Sequence, residues 1–304
     1  MESSANHTNI PLDKYEAKLD IVPVEYSLLI EEALKEDVGE GDITTEAIVP
    51  LGLIAEGVFV AKEEGVVCGL FLAEEVFKKV DESLEFGALV GEGDRVQRNK
   101  EIARIEGQAR SILKGERTAL NFIGRLSGIS TLTAKFVGAV ARTGAKILDT
   151  RKTTPGWRRL EKYAVRNGGG VNHRLGLYDM VLVKGNHIGL LGGITEAIEV
   201  ALNGPLWRGK KVEVEVRNLK ELREALSLGV EWVMLDNFSL PEIREAMGLV
   251  SRLKGRDRPR IEVSGGVNLK NVKGIAQTGV DYISVGALTH SAQALDVSLV
   301  LRRF

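Results

Sequence analysis

The stretch VEVEVRNLKELREALSLGVEWVMLD, residues 212–236, decides the fold. A β-branched run, VEVEV, passes into LKELREALSL, where Leu219, Leu222 and Leu226 recur at helical spacing, and a second apolar run, WVMLD, follows. Strand, helix, strand is the βαβ unit, whose strands lie parallel and whose crossover is right-handed. The same alternation continues outward in both directions. AKILDT and MVLVKG precede it, IEVSGG and YISVGA follow it, and the helical patterns ITEAIEVAL, PEIREAMGLVSRL and NVKGIAQT lie between. Each strand run ends in a polar residue or glycine. Six such units in succession predict an α/β fold of the (β/α) barrel type. An open doubly wound sheet is the other arrangement the alternation allows.

In a barrel, chemistry sits at the C-terminal mouth, so the residues just past each strand are the candidates. They are Arg151 and Lys152, then Lys184, Glu215, Asp236, Ser264 with Gly265 and Gly266, and Gly286. Three cations, two carboxylates and two glycine turns suit a polyanion that also carries hydroxyls or a metal. In VSGGVN the glycines let backbone N–H groups approach an anion closely, and SVGALTH repeats the device one unit later. Glycine turns after the last two strands are where barrels often bind phosphate.

Each of these residues has a plainer reading. Arg151 and Lys152 could be a solvated pair, yet no acid lies between Asp149 and Glu161. Two like charges about 4 Å apart repel by about 4 kcal/mol at an effective dielectric near 20, so converging cations need an anion. Glu215 alternates with Val214 and Val216 and reads equally as the outward side of a strand. Asp236 reads equally as the cap of a helix starting near Pro241. His173, after GGGVN and directly before Arg174, suggests a hydrogen bond to an anion, as imidazolium.

Bulk properties narrow the class. A chain of 304 residues with 44% hydrophobic and 27% charged residues reads as a soluble globular protein of roughly two domains. No apolar run approaches the roughly 20 residues needed to span a bilayer, and the N-terminal MESSANHTNIPLDKYEAK lacks the pattern of a secretion signal. The lone Cys68 excludes an intrachain disulfide, so the expected compartment is the cytoplasm. A formal net charge of -1 argues against nucleic-acid binding, which usually needs a basic domain. HExxH, HxH, GxSxG, Walker A and strand-linked GxGxxG patterns are absent, which disfavours zinc, serine-hydrolase, P-loop and dinucleotide readings.

LDTRKTTPGWRRLEKYAVRNGGGVNHRLGLYDMVLVKGNH, EVEV, LDN, SGG and VGALTH, with EDVGEGDITTEAIVP and GERTALNFIGRLSGIST upstream, resemble the quinolinate phosphoribosyltransferases. The likeness spans nearly the whole chain after the first twenty-odd residues. It implies a TIM-like barrel of the type II phosphoribosyltransferases over 130–289 and an N-terminal α+β sandwich over 25–129 joined by the tail 290–304. Residues 1–24 would be a flexible extension.

The implied reaction moves a phosphoribosyl group from 5-phosphoribosyl pyrophosphate to quinolinate with decarboxylation, using Mg²⁺. The resemblance assigns quinolinate to Thr150, Arg151, Lys152, His173, Arg174 and Lys184, with Arg117 supplied by the other copy of a homodimer. A hexamer would be a trimer of such dimers. Lys152, Lys184, Glu215 and Asp236 would act in catalysis and meet the phosphoribosyl donor, whose phosphate falls to Ser264, Gly265, Gly266 and Gly286. Glu215 and Asp236 would hold the metal directly or through water. A sister phosphoribosyltransferase, a phosphate-binding lyase or isomerase, and a non-catalytic binding protein are the alternatives at this point.

Overall fold

A computed structural model describes residues 26–205, 209–253, 255 and 258–303; the extension expected over 1–24 lies outside the described residues. The chain starts with α1 (Ser27–Val38) and α2 (Ile43–Ile48), the latter capped by Asp42, which accepts from the Thr45 N–H at 2.9 Å. Next come β1 (Ile54–Ala61), β2 (Gly65–Val66), α3 (Leu70–Val80), β3 (Glu85–Ala88), β4 (Arg95–Val96) and β5 (Glu101–Gln108). In the sequence, GLIAEGVFVAKEEGVVCGL (52–70), which holds the runs of β1 and β2, reads as a pair of strands. The structure instead puts β1 between β5 and β12 (Val297–Arg303), both antiparallel, and pairs β2 with β4. Both edges of β1 are occupied, so no edge remains for β2. The sheet order is β12-β1-β5-β3, and the last strand of the chain thus completes its first sheet.

The helix α4 (Ala109–Val140), of 32 residues, spans about 48 Å. It packs α3, including Val76 and Phe77, on one side and α5 on another. Phe59, Phe77 and Phe86 meet ring to ring beside it, with centroids 5.9–6.1 Å apart.

From here strand and helix alternate: β6 (Lys146–Leu148), α5 (Arg158–Asn167), β7 (Val181–Val183), α6 (Gly185–Leu191), α7 (Ile194–Asn203), β8 (Val212–Val216), α8 (Leu219–Ser227), β9 (Trp232–Asp236), α9 (Leu240–Val250), β10 (Arg260–Ser264), α10 (Val272–Ala276), β11 (Tyr282–Ser284) and α11 (Ala287–His290). The helices form because one face of each is apolar. In α7 the buried set Ile194, Ala197, Ile198 and Ala201 is the i, i+3, i+4, i+7 stripe that packs on the sheet.

All six strands are parallel, in the order β6-β11-β10-β9-β8-β7. That order separates the two arrangements left open by the sequence. A doubly wound sheet reverses direction at a switch point, whereas here β7 to β11 run in chain sequence and β6 then pairs with β11. The sheet therefore curls into a barrel with one seam, between β6 and β7. Val171 fills part of that seam through a parallel bridge to Leu148. Among the described residues no helix is long and apolar enough to cross a membrane.

Candidate active site

Period two along each strand puts residues i and i+2 on one face, and in this barrel the inner face carries the polar groups. All five residues of β8 are buried: Val212, Val214 and Val216 are core valines, while Glu215 opens into the barrel cleft with Glu213 on the same face. Glu215 is therefore an inward residue, not the solvent side of a strand. Asp236 is likewise free of capping duty, because Ser239 caps α9 and its N–H and hydroxyl both donate to Glu242, at 2.8 and 2.6 Å.

The strand ends converge on a cleft of about 740 Å³, a size typical of small-ligand sites. Thr150, Arg151 and Lys152 enter it after β6, His173 and Arg174 from the seam, and Lys184 after β7. Glu215, Asp236, Ser264, Gly265, Gly266 and Gly286 complete the rim, with Leu182, Met234, Glu262 and Ser284 one step deeper on the same strands. Every residue expected at the mouth is present except Arg117, which lies exposed on α4 and does not line its own chain's cleft.

Arg151, Lys152 and Lys184 are exposed and Arg174 is half-buried. Burial first, then repulsion from Arg151, pushes the Arg174 guanidinium below its usual range. Arg174 is oriented by donating to the Met180 carbonyl at 3.0 Å. Lys184 donates to Glu215 Oε2 at 3.0 Å, and the Lys184 N–H donates to His187 Nδ1 at 3.0 Å. His187 shows no signal in the sequence; its use is to fix the start of α6.

The two glycine turns differ. Gly265 and Gly266 have φ of +89° and +62°, left-handed values that glycine adopts freely. At Gly286, φ is -63° and any residue could adopt the backbone; a Cβ there would come within 3.0 Å of Lys152 Cδ and 3.2 Å of His290 Nε2. Close approach to two side chains, not conformation, is what a side chain at 286 would meet. The Asn237 N–H donates to the Ser264 carbonyl at 2.9 Å and the Asn237 amide donates to Asp236 Oδ2 at 3.0 Å, so this residue ties the ends of β9 and β10 together.

Beneath the cations lies a buried cluster that sequence reading did not assemble. His173 Nε2 is 3.1 Å from Glu213 Oε2 and 3.5 Å from Glu262 Oε2, while its Nδ1 accepts from the Arg174 N–H at 2.7 Å. Burial opposes a charged ring, but Glu262 and Glu213 outweigh it and raise His173 to about 10; full protonation requires the Arg174 N–H contact to open. Burial, then the like charge of Glu262, raises Glu213 to about 7. Both ring nitrogens face protein partners, Nε2 the two carboxylates and Nδ1 the Arg174 N–H. The three side chains lie close enough to share one cation, their donor atoms within 4.8 Å of one another, and a protonated His173 supplies that cation itself. Glu213 and Glu262 stand two residues before Glu215 and Ser264, and period two alone places them on the inner face.

Converging cations, a left-handed glycine turn and two carboxylates at neighbouring strand ends, all at one barrel mouth, suit the chemistry of a phosphoribosyltransferase. The chain belongs to the quinolinate phosphoribosyltransferase family. Residues 42–127 match the model of its N-terminal domain and residues 129–300 that of its C-terminal domain. The chain is 43% identical over 287 residues to quinolinate phosphoribosyltransferase (decarboxylating) 1b of Nicotiana tabacum, covering 89% of this chain and 81% of that one. It superposes on the solved nicotinate-nucleotide pyrophosphorylase of Francisella tularensis with a TM-score of 0.87 at 41% identity, over 93% of this chain and 98% of that one. Human nicotinic acid phosphoribosyltransferase, at 12% identity and a TM-score of 0.57 over 92% of this chain and 73% of that one, shares the fold alone.

Proposed function

We propose that the chain is a nicotinate-nucleotide diphosphorylase (carboxylating). It transfers the phosphoribosyl group of 5-phosphoribosyl pyrophosphate to quinolinate and releases pyrophosphate, carbon dioxide and nicotinate mononucleotide, a step of NAD biosynthesis. The observation that carries this reading is that Arg151, Lys152, Arg174 and Lys184 share one cleft with the Gly265–Gly266 turn, Glu215 and Asp236.

Planar guanidinium groups at Arg151 and Arg174 suit the two adjacent ring carboxylates of quinolinate, and Thr150 and His173 border the same side of the cleft. Lys152 and Lys184 stabilise the departing pyrophosphate, Glu215 and Asp236 accept from the ribose hydroxyls, and Ser264, Gly265, Gly266 and Gly286 take the 5-phosphate. Held in this order, the pyridine nitrogen attacks the anomeric carbon as the bond to pyrophosphate breaks. The carboxylate beside the quaternised nitrogen then leaves as carbon dioxide, and that ring carbon takes up a proton. Glu215 and Asp236 also fit a magnesium ion, since both offer carboxylate oxygen at neighbouring strand ends, the donor type this hard cation prefers. Bound there, the ion would neutralise charge on the pyrophosphate.

Arg117 lies outside its own cleft, so its part in quinolinate binding requires a second copy of the chain, and we take the homodimer as the working unit. We also take 130–289 as the catalytic unit and 25–129 with 290–304 as the sandwich; the pairing of β12 with β1 supports joining the tail to it. A cytoplasmic location agrees with the single buried thiol at Cys68.

The test is turnover by purified protein with quinolinate, 5-phosphoribosyl pyrophosphate and magnesium, with nicotinate as a parallel acceptor and a chelator control. Nicotinate mononucleotide and carbon dioxide from quinolinate only, lost on chelation, are expected. Turnover of nicotinate alone would move the assignment to a sister transferase.

A further inference from the structure

The seam between β6 and β7 is held by charge where the rest of the barrel is held by strand pairing. Val171 has its bridge to Leu148, with N–H donation to the Ile147 carbonyl at 2.8 Å and acceptance from the Asp149 N–H at 3.3 Å. Beyond that point a fully buried ion pair, Asp149 with Lys162 of α5, takes over. Asp149 Oδ1 accepts from the His173 N–H at 2.9 Å, and Lys162 Nζ donates to the His173 carbonyl at 3.0 Å, so the pair grips both backbone groups of one residue. Asn172 completes the clamp by donating to Asp149 Oδ2 at 2.5 Å and to the Lys162 carbonyl at 2.9 Å.

The clamp joins the two segments that carry the acceptor-side cations. Asp149 stands two residues before Arg151, and His173 directly precedes Arg174. Those two guanidinium groups repel each other, and among the described residues no ladder of backbone hydrogen bonds links their segments beyond Val171. Burial drives Asp149 up and Lys162 down, the expected penalty for taking charges out of water. Apolar residues of the same size would hold the seam at less cost; what they lack is direction.

We infer that Asp149 and Lys162 are positioning residues that set the separation of Arg151 and Arg174, and so select an acceptor bearing two adjacent carboxylates. This rests on the functional reading above.

The test compares wild type with Asn172→Ala, Lys162→Met and the double variant Asp149→Asn/Lys162→Met. Lys162→Met alone strands a buried carboxylate and can fail to fold; the double variant leaves no charge unpaired, and Asn172→Ala removes only the bridging amide. Thermal melting establishes which variants fold. For these, KM is measured for quinolinate and for 5-phosphoribosyl pyrophosphate, and binding of phthalate is measured against benzoate as non-reacting dicarboxylate and monocarboxylate probes.

The expected result is a quinolinate KM raised about tenfold or more in the double variant and less in Asn172→Ala, with the donor KM within about twofold. The preference for phthalate over benzoate should fall in parallel. A folded variant with unchanged quinolinate KM and unchanged preference overturns the proposal, as does an equal rise in both KM values, which marks general loosening. If wild type fails to turn over quinolinate, the functional reading has failed, and the phthalate-to-benzoate ratio still decides whether the clamp positions the cations.

Discussion

Lys184 Nζ stands 3.0 Å from Glu215 Oε2, and Glu215 Oε1 accepts from the Gly185 N–H at 3.4 Å. A cation and a carboxylate that follow different strands are thus one unit, shared by the ends of β7 and β8. Glu215 holds Lys184 at the mouth while its own carboxylate stays turned into the cleft.

Glu215→Ala therefore separates two duties. Turnover is expected to fall about 100-fold or more, the scale of losing one group that stabilises developing charge. Quinolinate affinity by calorimetry should stay within about threefold, because Lys184 loses a competing anion as well as a support. An affinity loss of tenfold would make Glu215 chiefly a prop for Lys184.

Arg117 gives a test of subunit sharing. Arg117→Ala and Glu215→Ala are each expected to be nearly inactive alone. When the two are mixed and allowed to exchange subunits, half the dimers are mixed and each mixed dimer keeps one intact site, so about a quarter of wild-type activity should return. No recovery after exchange, confirmed by native mass spectrometry, would confine Arg117 to its own chain.

His173 sets a pH dependence. Its folded pKa is raised from 6.5 to about 10, so its contribution to stability is complete below pH 6.5 and is lost as pH rises through about 10. Across that window the melting temperature of wild type should fall more steeply than that of His173→Gln. Glu213→Gln should lower the ring's titration midpoint, as read by NMR, since one of the two anions holding the proton is gone. Parallel melting curves would show that the ring is neutral throughout.

Two glycines separate site from scaffold. Gly265 has φ +89°, and a Cβ would come within 2.9 Å of the Asn237 nitrogen. Gly265→Ala should cost about 1–3 kcal/mol and raise the KM for the phosphoribosyl donor, leaving quinolinate binding near its wild-type value. At Gly128 of α4 a Cβ would overlap the Gln293 carbonyl, where the C-terminal segment crosses the helix closely. Gly128→Ala should cost a similar amount, about 1–3 kcal/mol, with both KM values little changed. Steady-state kinetics and thermal denaturation on both variants provide the check.

Much of the site was legible because strands are periodic. Once VEVEV and WVMLD are strands of a barrel, Glu215 and Asp236 must emerge at the same mouth as Lys184 and Ser264, and the cleft contains all four. The same rule reaches Glu213 and Glu262, two residues back, although nothing in the sequence says that they converge on His173. Nor do the consecutive charges Glu161 and Lys162 look different from a solvated helix face. Both are fully buried, Glu161 paired with Arg125 and Lys162 with Asp149, and only packing distinguishes them from their exposed neighbour Arg159.

What the sequence by itself determined is whatever depends on local period and chain order: the alternating strands and helices, the parallel sheet they require, and the residues that follow each strand. Those properties rest on backbone geometry and near-neighbour spacing, which are written along the chain. The tertiary structure alone decided that the sheet closes through β6 and β11, leaving a seam at Val171, and that β1 pairs with β5 and β12 instead of β2. It also decided which charges are buried. These outcomes depend on contacts between residues far apart in sequence, where competition for strand edges and the cost of burying charge set the result, and no local pattern records either.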